Sequence, residues 1–512
     1  MSLANSDEYA ISDTLNVSAR LKLFDNGRQI HALCVKRGFY RFVVLTTALM
    51  DLYIKCERLA NGQKLFKEMP ERDVVSWTSL IVGHVQHRQY AKSLTLFSRM
   101  MQEGVKPNCH SFSATLSGCS GLQALRQGQQ MHAQLVAAGM LANSVVENSL
   151  LHLYVKCFAM DAATKLFNRI PDRSLVAWNE MISAHVECGL PEEGLKLMHR
   201  MNSSNVKPDD FTYAICIRAC SRLTSINQGQ QFHGSIIRNG LESDLVISNA
   251  LVDMYSKCGC LASAKLIFDL APVKDTILWT AMVAAYGKFG QVKEAITMFE
   301  QMQELNAQPD EITYIALLSA CCHGGLVREG WHYFRSMYQK HSVSPQQEHY
   351  ACMVDLLCRS KRVLEAYDFI KSMPTKPGAT VWGAFLGYCS LHGDIELSRP
   401  AVIELFKLDP QNHSNYIAMS NVYAAAGAWN EMLEIRGRMK NDNVKKEPGC
   451  SWIEVKGSVH AFLAAKTSHP QIGEILLTLS SLNIYMKGNR YEAYRGKSSK
   501  NSRPGCSESD TM

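Results

Sequence analysis

The sequence repeats itself every 101 residues, and this period constrains the fold more than any other feature. Gly27 and His31 return as Gly128 and His132 and again as Gly229 and His233. A tryptophan series and a proline series keep the same interval: Trp77, Trp178 and Trp279, and Pro107, Pro208 and Pro309. A fixed long period indicates an array in which each repeat buries its apolar face only against its neighbours.

The composition is compatible with such an array. Hydrophobic residues make up 46% of the 512 residues, and the net charge of +7 permits a polyanionic partner without requiring one. No apolar run approaches the roughly 18 residues of a membrane span. The 17 cysteines fall largely within apolar helical stripes, and no pair has C-x-x-C spacing. We therefore expect buried, reduced thiols and neither a disulfide framework nor a zinc site.

Each period divides into three helical hairpins of 35, 35 and 31 residues. The unit 276–310 illustrates the pattern: apolar residues at helical spacing follow Trp279, and Gly290 supplies the turn. A second stripe contains Phe299 and Met302, and Asp310 stands where the N-cap of the next helix belongs.

The pattern predicts an all-α solenoid of helix-turn-helix repeats with a small, irregular, β-containing C-terminal extension. The predicted units are 8–42, 43–73, 74–108, 109–143, 144–174, 175–209, 210–244, 245–275, 276–310, 311–346 and 347–378. Two repeat-like units follow within 379–446, then an extension over 447–486 that begins with a short strand, and a disordered tail over 487–512. Repeat sequence begins directly after a short segment 1–7 that lacks targeting features, so we expect a preceding leader or further repeats.

Helical hairpins of this length also occur in tetratricopeptide arrays, but the W-x-x-L-G-x-x-Y signature of that family is absent. The 35-35-31 cycle over residues 8–475 instead resembles the pentatricopeptide repeat family in its plant P-L-S subclass. Residues 416–424, with Gly427 and Trp429, resemble its E2 motif, and residues 446–455 resemble the start of its E+ extension. The resemblance implies that the solenoid is a right-handed superhelix. It assigns E1 and E2 motifs to 379–446 and the E+ extension to 447–486.

In this family the fifth and last residues of each unit select one RNA base. Carried onto this chain, the pairs are Thr47 with Asp73, Thr78 with Asn108, Asn148 with Ser174, Asn179 with Asp209, Asn249 with Asp275, and Thr280 with Asp310. The alternative is that each last residue is only an N-cap. The fifth residue favours base reading, because a helix interior gains little from Asn or Thr.

The family's pairing rules imply G for Thr-Asp, A for Thr-Asn, U for Asn-Asp and C for Asn-Ser. Ser113 with Asn143 favours A weakly, whereas Ala214, Ile315 with Gln346, and Ala351 with Gly378 fit no rule. The resulting target, 5′ to 3′, is G-A-N-C-U-N-U-G-N-N-N-N-N-C, with the last C edited.

The resemblance implies an adaptor that binds single-stranded organellar RNA and selects a cytidine for C-to-U editing. A DYW-type deaminase in trans and organellar accessory factors are the implied partners, with Gly449, Trp452 and Glu454 in the recruiting segment. The alternative for this segment is a cap on the array. Mitochondrion is favoured over chloroplast, without membrane insertion.

Intrinsic deaminase activity is not predicted, and neither is a metal or another cofactor. A zinc deaminase needs an H-x-E and a C-x-x-C motif, but only His185 and Glu187 have the first spacing, on a helix surface. The series His31, His132 and His233 is interpreted as packing or hydrogen bonding. The series Lys55, Lys156 and Lys257 faces either phosphates or solvent.

Two other functions remain open at this point. One is an RNA processing or stability factor that blocks nucleases, against which the E and E+ segments argue. The other is a helical scaffold for peptides, against which the polar fifth and last residues argue. The transcript, the deaminase and the organelle cannot be read from the sequence.

Overall fold

The computed structural model describes residues 2–39, 42–442, 444, 449–455, 458–463 and 469–498, and these form 27 helices and two strands. The first helices of successive hairpins are α1 (Ser2–Arg20), α3 (Val43–Lys55), α5 (Val74–Gln86), α7 (Cys109–Gly121), α9 (Ser144–Lys156), α11 (Leu175–Glu187), α13 (Asp210–Leu223), α15 (Leu245–Lys257), α17 (Thr276–Lys288), α19 (Glu311–Gly324), α21 (Gln347–Arg359), α23 (Ala379–His392) and α25 (His413–Ala425). The second helices are α2 (Phe24–Lys36), α4 (Leu59–Glu68), α6 (Tyr90–Gln102), α8 (Leu125–Ala137), α10 (Met160–Arg169), α12 (Pro191–Ser203), α14 (Ile226–Arg238), α16 (Leu261–Leu270), α18 (Val292–Glu304), α20 (Val327–His341), α22 (Val363–Lys371), α24 (Ile395–Leu408) and α26 (Trp429–Asn441).

Each predicted unit holds one hairpin, so the helical-hairpin prediction is confirmed. The hairpin of 276–310 turns at Gly290, whose φ of 71° lies in the left-handed region that glycine adopts without strain. Phe299 and Met302 are fully buried, as the stripe predicts. One boundary differs, because α1 begins at Ser2, within the predicted segment 1–7.

The chain forms two compact units, residues 1–282 and 283–512, and α17 spans their boundary. Within residues 1–282, each odd-numbered helix from α1 to α15 packs on the next odd-numbered helix. Within residues 283–512, the odd-numbered helices from α19 to α25 also pack one on the next. In each of the two compact units, the first helices of the hairpins therefore form one layer, and the second helices pack against that layer.

The tryptophan series joins each 31-residue unit to the 35-residue unit that follows. Trp178 is buried and meets the edge of Phe167 at a ring-centroid distance of 4.9 Å, while the guanidinium of Arg173 lies over both rings. Trp77 and Trp279 make the equivalent contact with Phe66 and Phe268, each at 4.7 Å. Aromatic edge contacts of this kind contribute beyond the apolar area that they bury.

The C-terminal extension contains an antiparallel pair, β1 (Cys450–Val455) and β2 (Ser458–Leu463), with Trp452 opposite Ala461. This confirms the predicted strand. A further helix, α27 (Ile472–Ser498), crosses the predicted border at 486/487. Residues 487–498 of the predicted tail belong to this helix. The predicted tail from 499 onwards lies outside the described residues.

Candidate nucleic-acid interface

Three of the six predicted pairs are joined by direct hydrogen bonds, although their members lie 26 or 30 residues apart in sequence. Asn179 Nδ2 donates to Asp209 Oδ1 at 3.1 Å, and Asn249 Nδ2 donates to Asp275 Oδ2 at 3.3 Å. In the third pair the direction is reversed: Ser174 Oγ donates to Asn148 Oδ1 at 3.0 Å. The fold therefore brings the fifth residue of a unit to its last residue.

The pair Thr78 and Asn108 is joined through Ser111. The hydroxyls of Thr78 and Ser111 lie 2.7 Å apart, and Ser111 Oγ donates to Asn108 Oδ1 at 2.9 Å. The structure shows no direct bond between Thr47 and Asp73. Thr280 is buried in the first compact unit, and Asp310 lies in the second.

The last residues of all six pairs also cap the first helix of the next unit. Each accepts a hydrogen bond from a backbone N–H in the first turn: Asp73 from Ser76, Asn108 from Ser111, Ser174 from Ala177, Asp209 from Thr212, Asp275 from Leu278, and Asp310 from Thr313. Each last residue therefore acts as an N-cap. This role does not exclude base reading, because the side chains of Ser174, Asp209 and Asp275 also contact the fifth residue of their unit.

Asp209 shows how firmly one such group is held. Burial alone would raise the pKa of its carboxyl, but hydrogen bonds from Thr212 and Asn179 outweigh that effect and lower the pKa below its ordinary value. The carboxylate therefore stays ionised at neutral pH and acts only as an acceptor.

Two fifth residues leave a buried polar atom without a hydrogen-bond partner among the described residues. These atoms are Thr47 Oγ1 and Asn249 Oδ1. A buried unsatisfied polar atom costs stability, so native structures contain few of them and each requires an explanation. A ligand that supplies the missing partner is one such explanation.

An exposed aliphatic residue lies one helical turn before the fifth residue in each unit of these pairs. Val75, Val176 and Val246 are 52%, 59% and 57% exposed. The equivalent Val44, Val145 and Ile277 are 48%, 40% and 62% exposed. Residues three apart share a helix face, so each polar pair has an apolar surface beside it. This series was not predicted from the sequence, where its only signal is an aliphatic residue at the second place of the unit, outside the buried stripe.

The lysine series is only partly available for phosphates. Lys55 and Lys257 each form an ion pair with a carboxylate one turn earlier, Asp51 at 2.7 Å and Asp253 at 2.8 Å. Lys156 is exposed, and His152 occupies the corresponding place. Lys156 therefore has no carboxylate at the place where Lys55 and Lys257 have theirs.

The histidine series bonds to the next unit, which confirms the packing interpretation. Nδ1 of His132 lies 2.7 Å from the hydroxyl of Tyr154. The equivalent distances, His31 to Tyr53 and His233 to Tyr255, are both 2.8 Å. Burial lowers the pKa of all three imidazoles, so they are neutral at neutral pH.

His185 and Glu187, which have the H-x-E spacing, lie at the end of α11. Glu187 is exposed at the end of α11 and accepts a hydrogen bond from Ser183. Among the described residues, no three His, Cys, Asp or Glu side chains are grouped to hold a metal ion. Burial raises the pKa of the Cys119 thiol to about 11 and that of Cys389 to about 12, so both remain protonated thiols at neutral pH.

The residues predicted for partner recruitment lie at the β-hairpin. Gly449 is exposed just before β1, and Trp452 and Glu454 belong to that strand. The side chains of Trp452 and Glu454, together with residues 445–448, lie outside the described part of the chain.

Among the described residues, no helix has the length and apolar character of a membrane-spanning segment.

Family models match along most of the array. The PPR repeat family model matches residues 72–121, 173–222 and 274–323, and the PPR repeat model matches 44–74, 312–341 and 348–376. An E motif model matches residues 392–454.

Curated relatives from Arabidopsis thaliana align over nearly the whole chain. The chloroplastic pentatricopeptide repeat-containing protein At1g11290 is 37% identical over 94% of this chain and 60% of its own length. The putative mitochondrial pentatricopeptide repeat-containing protein At3g13770 is 36% identical over 93% of this chain and 76% of its own length. The chain spans 60% of the first and 54% of another chloroplastic relative, and thus less than two thirds of both.

Solved structures show the same fold. The maize pentatricopeptide repeat protein PPR10 in complex with an 18-nucleotide psaJ RNA element matches with a TM-score of 0.59 at 18% identity. The match covers 85% of this chain and 69% of the other. A second structure of PPR10 matches with a TM-score of 0.51 at 17% identity, over 85% of this chain and 74% of the other.

Proposed function

The chain belongs to the pentatricopeptide repeat family, and from this premise we propose that it is a sequence-specific, single-stranded RNA-binding adaptor for C-to-U editing in an organelle. Its array binds the transcript upstream of one cytidine. The deamination is carried out by a DYW-type deaminase that the C-terminal segment recruits in trans.

One observation carries the RNA-binding part of the proposal: polar pairs and exposed aliphatic residues recur together along the array. Asn179 with Asp209 and Asn249 with Asp275 present hydrogen-bonding groups, and Val176 and Val246 provide an apolar surface one turn away. A flat base needs both, since its faces are apolar and its edge carries donors and acceptors. One base per helical repeat is an established mode of reading single-stranded RNA.

The editing part of the proposal is supported by the E motif at residues 392–454, which follows the repeats. We assign recruitment of the deaminase and of accessory factors to this motif and to the segment containing Gly449, Trp452 and Glu454. Relatives are named as chloroplastic and as mitochondrial proteins. The host compartment is accordingly an organelle, and the experiments cover both mitochondria and chloroplasts.

The first test measures binding to a synthetic RNA that carries the predicted target, G-A-N-C-U-N-U-G-N-N-N-N-N-C. We expect tighter binding to this RNA than to a shuffled sequence of the same composition, and weaker binding as salt rises, because bound phosphates release counterions. Equal affinity for both RNAs would contradict base reading. Binding of peptides but not RNA would favour a scaffold.

The second test is sequencing of mitochondrial and chloroplast transcripts in plants that lack the protein. We expect one or a few cytidines to lose editing, each preceded by bases that fit the predicted target. Intact editing with altered transcript ends or abundance would instead support an RNA processing or stability factor. In that case the E motif would act as a cap on the array.

A further inference from the structure

A histidine–carboxylate contact joins α9 to α11 beside one of the polar pairs. His152 Nδ1 lies 3.1 Å from Glu180 Oε1, and the two side chains are 43% and 25% exposed. A carboxylate can only accept, so the N–H at Nδ1 of His152 donates to Glu180. The contact holds the Glu180 carboxylate in place at the boundary between units 144–174 and 175–209.

This contact is special to one place in the array. At 101-residue spacing, the residues equivalent to His152 are Asp51 and Asp253, which pair with lysines on their own helices. The residues equivalent to Glu180 are Ser79 and Ala281. Of these three equivalent boundaries, only this one presents a carboxylate from the following unit.

The pair lines a cavity of about 190 Å³ together with two residues of the reading surface, Asn148 and the exposed Val176. Liquid water occupies about 30 Å³ per molecule, so this cavity is large enough for a single-ring base. Glu180 therefore lies beside the surface that reads the base of unit 144–174.

The free hydrogen-bonding groups of this cavity are complementary to cytosine. Asn148 Oδ1 accepts from Ser174, which leaves the two N–H donors of Asn148 for a ligand. His152 contacts Oε1 of Glu180, and Oε2 has no partner among the described residues. Cytosine carries an amino donor at N4 and acceptors at N3 and O2, whereas uracil carries an acceptor, O4, in place of the amino group.

We propose that Glu180, positioned by His152, is a further specificity-determining residue that accepts a hydrogen bond from the N4 amino group of cytosine. The same carboxylate repels O4 of uracil. The inference rests on the proposed RNA-binding function and adds a third group, from the next unit, to the pair Asn148 and Ser174.

The test compares RNAs that carry C or U at the fourth base of the target. Loss of one hydrogen bond to a charged group corresponds to roughly tenfold in affinity. We therefore expect Glu180→Gln to lower the C-over-U ratio roughly tenfold, with tighter binding of the U form because the new amide can donate to O4. We expect His152→Ala to lower the C-over-U ratio as well. The preference at the second base of the target, which is assigned to the unit 74–108, should stay unchanged.

Glu187→Gln is the matched control, since it removes the same charge two turns further along α11, outside the cavity. We expect it to leave the C-over-U ratio unchanged. A complementary variant, Asp253→His with Ala281→Glu, transfers the pair to the unit of Asn249. Here we expect the preference for U over C to fall roughly tenfold, by the same hydrogen-bond argument.

The outcomes separate this proposal from the one on which it rests. If the unmodified chain does not distinguish its target from a shuffled RNA, the proposed RNA-reading function fails. If it does distinguish them, but Glu180→Gln and the transferred pair both leave the C-over-U ratios unchanged, the role of Glu180 is refuted.

Discussion

At the scale of single residues, the candidate interface depends on side chains with two tasks. Asp209 caps α13 through the backbone N–H of Thr212 and at the same time accepts from Asn179. A cap of this kind contributes about 1 kcal/mol to stability. Because Asp209 caps the helix, its carboxylate is held in one orientation. A group that reads a base also requires a fixed orientation.

Asn179→Thr tests the reading rule at one base. The wild-type amide donates to Asp209 and accepts from Thr212, whereas threonine offers one hydroxyl on a shorter side chain. We expect the preference at the fifth base of the target to move from U toward G, as the Thr-Asp pairing implies. Binding to RNAs that differ only at this base measures the change. Asn202→Thr, at an exposed site on α12, is the control, and unchanged relative affinity in Asn179→Thr would contradict the rule.

The exposed aliphatic series predicts a different mutational signature. Val246→Ser removes apolar surface but no base-edge contact, so we expect weaker binding to all RNA sequences with preferences unchanged. Apolar burial of this size corresponds to about 1 kcal/mol, or about fivefold in affinity. Val273→Ser, which is 64% exposed outside the first helices, is the control and should bind normally. A preference change in Val246→Ser would show that this residue reads bases.

At the scale of helices, the repeated glycine and the repeated histidine belong to the same helix–helix contact, which we call the joint between two repeats. An ideal Cβ on Gly128 would lie 2.2 Å from Leu153 Cδ2, so a larger residue here would have to displace the Leu153 side chain. Gly27 with Leu52, Gly229 with Met254 and Gly330 with Leu356 make the same approach, at 2.4, 2.6 and 2.3 Å. In three of these joints the histidine four residues later bonds to a tyrosine on the facing helix.

Gly128→Ala tests this joint. We expect it to lower the free energy of unfolding by about 1–3 kcal/mol, because the added methyl group overpacks the contact with Leu153. Leu153→Ala in the same chain should recover part of that loss, so the two changes should not be additive. Urea denaturation of the single and double variants measures both effects.

Gly437→Ala is the matched control, because it lies in α26 with open space around its Cβ position. Alanine is a better helix former than glycine by about 1 kcal/mol, so the control should be neutral or stabilising. Equal destabilisation in Gly128→Ala and Gly437→Ala would contradict the close-approach argument.

At the scale of the whole molecule, periodicity predicts what repeats and misses what depends on contacts across units. The hairpins, the turn at Gly290 and the cap at Asp310 follow from local rules, and the structure confirms them. The exposure of Val176 and the proximity of His152 to Glu180 depend on how adjacent units stack, which a single sequence does not contain. A polar composition does not exclude a helix, so composition alone does not define the range of α27.

The three histidine–tyrosine bonds also predict how stability responds to pH. The pKa values of His31, His132 and His233 lie below the ordinary 6.5, so the unfolded chain binds protons before the folded chain does. Their contribution to stability is therefore fully present above pH 6.5 and is lost as the pH falls through their folded pKa values. We expect the urea midpoint to fall between pH 7.5 and pH 5.5.

A variant with glutamine at all three positions should be less stable at pH 7.5 and should lose less stability on acidification. Some pH dependence should remain, because burial also lowers the pKa of His84, His185 and His349. In a repeat array, stability is approximately a sum over units and their interfaces, so the three single variants should each remove a similar part of the pH dependence. If the triple variant kept the full pH dependence, neutral histidines at these joints would not be its source.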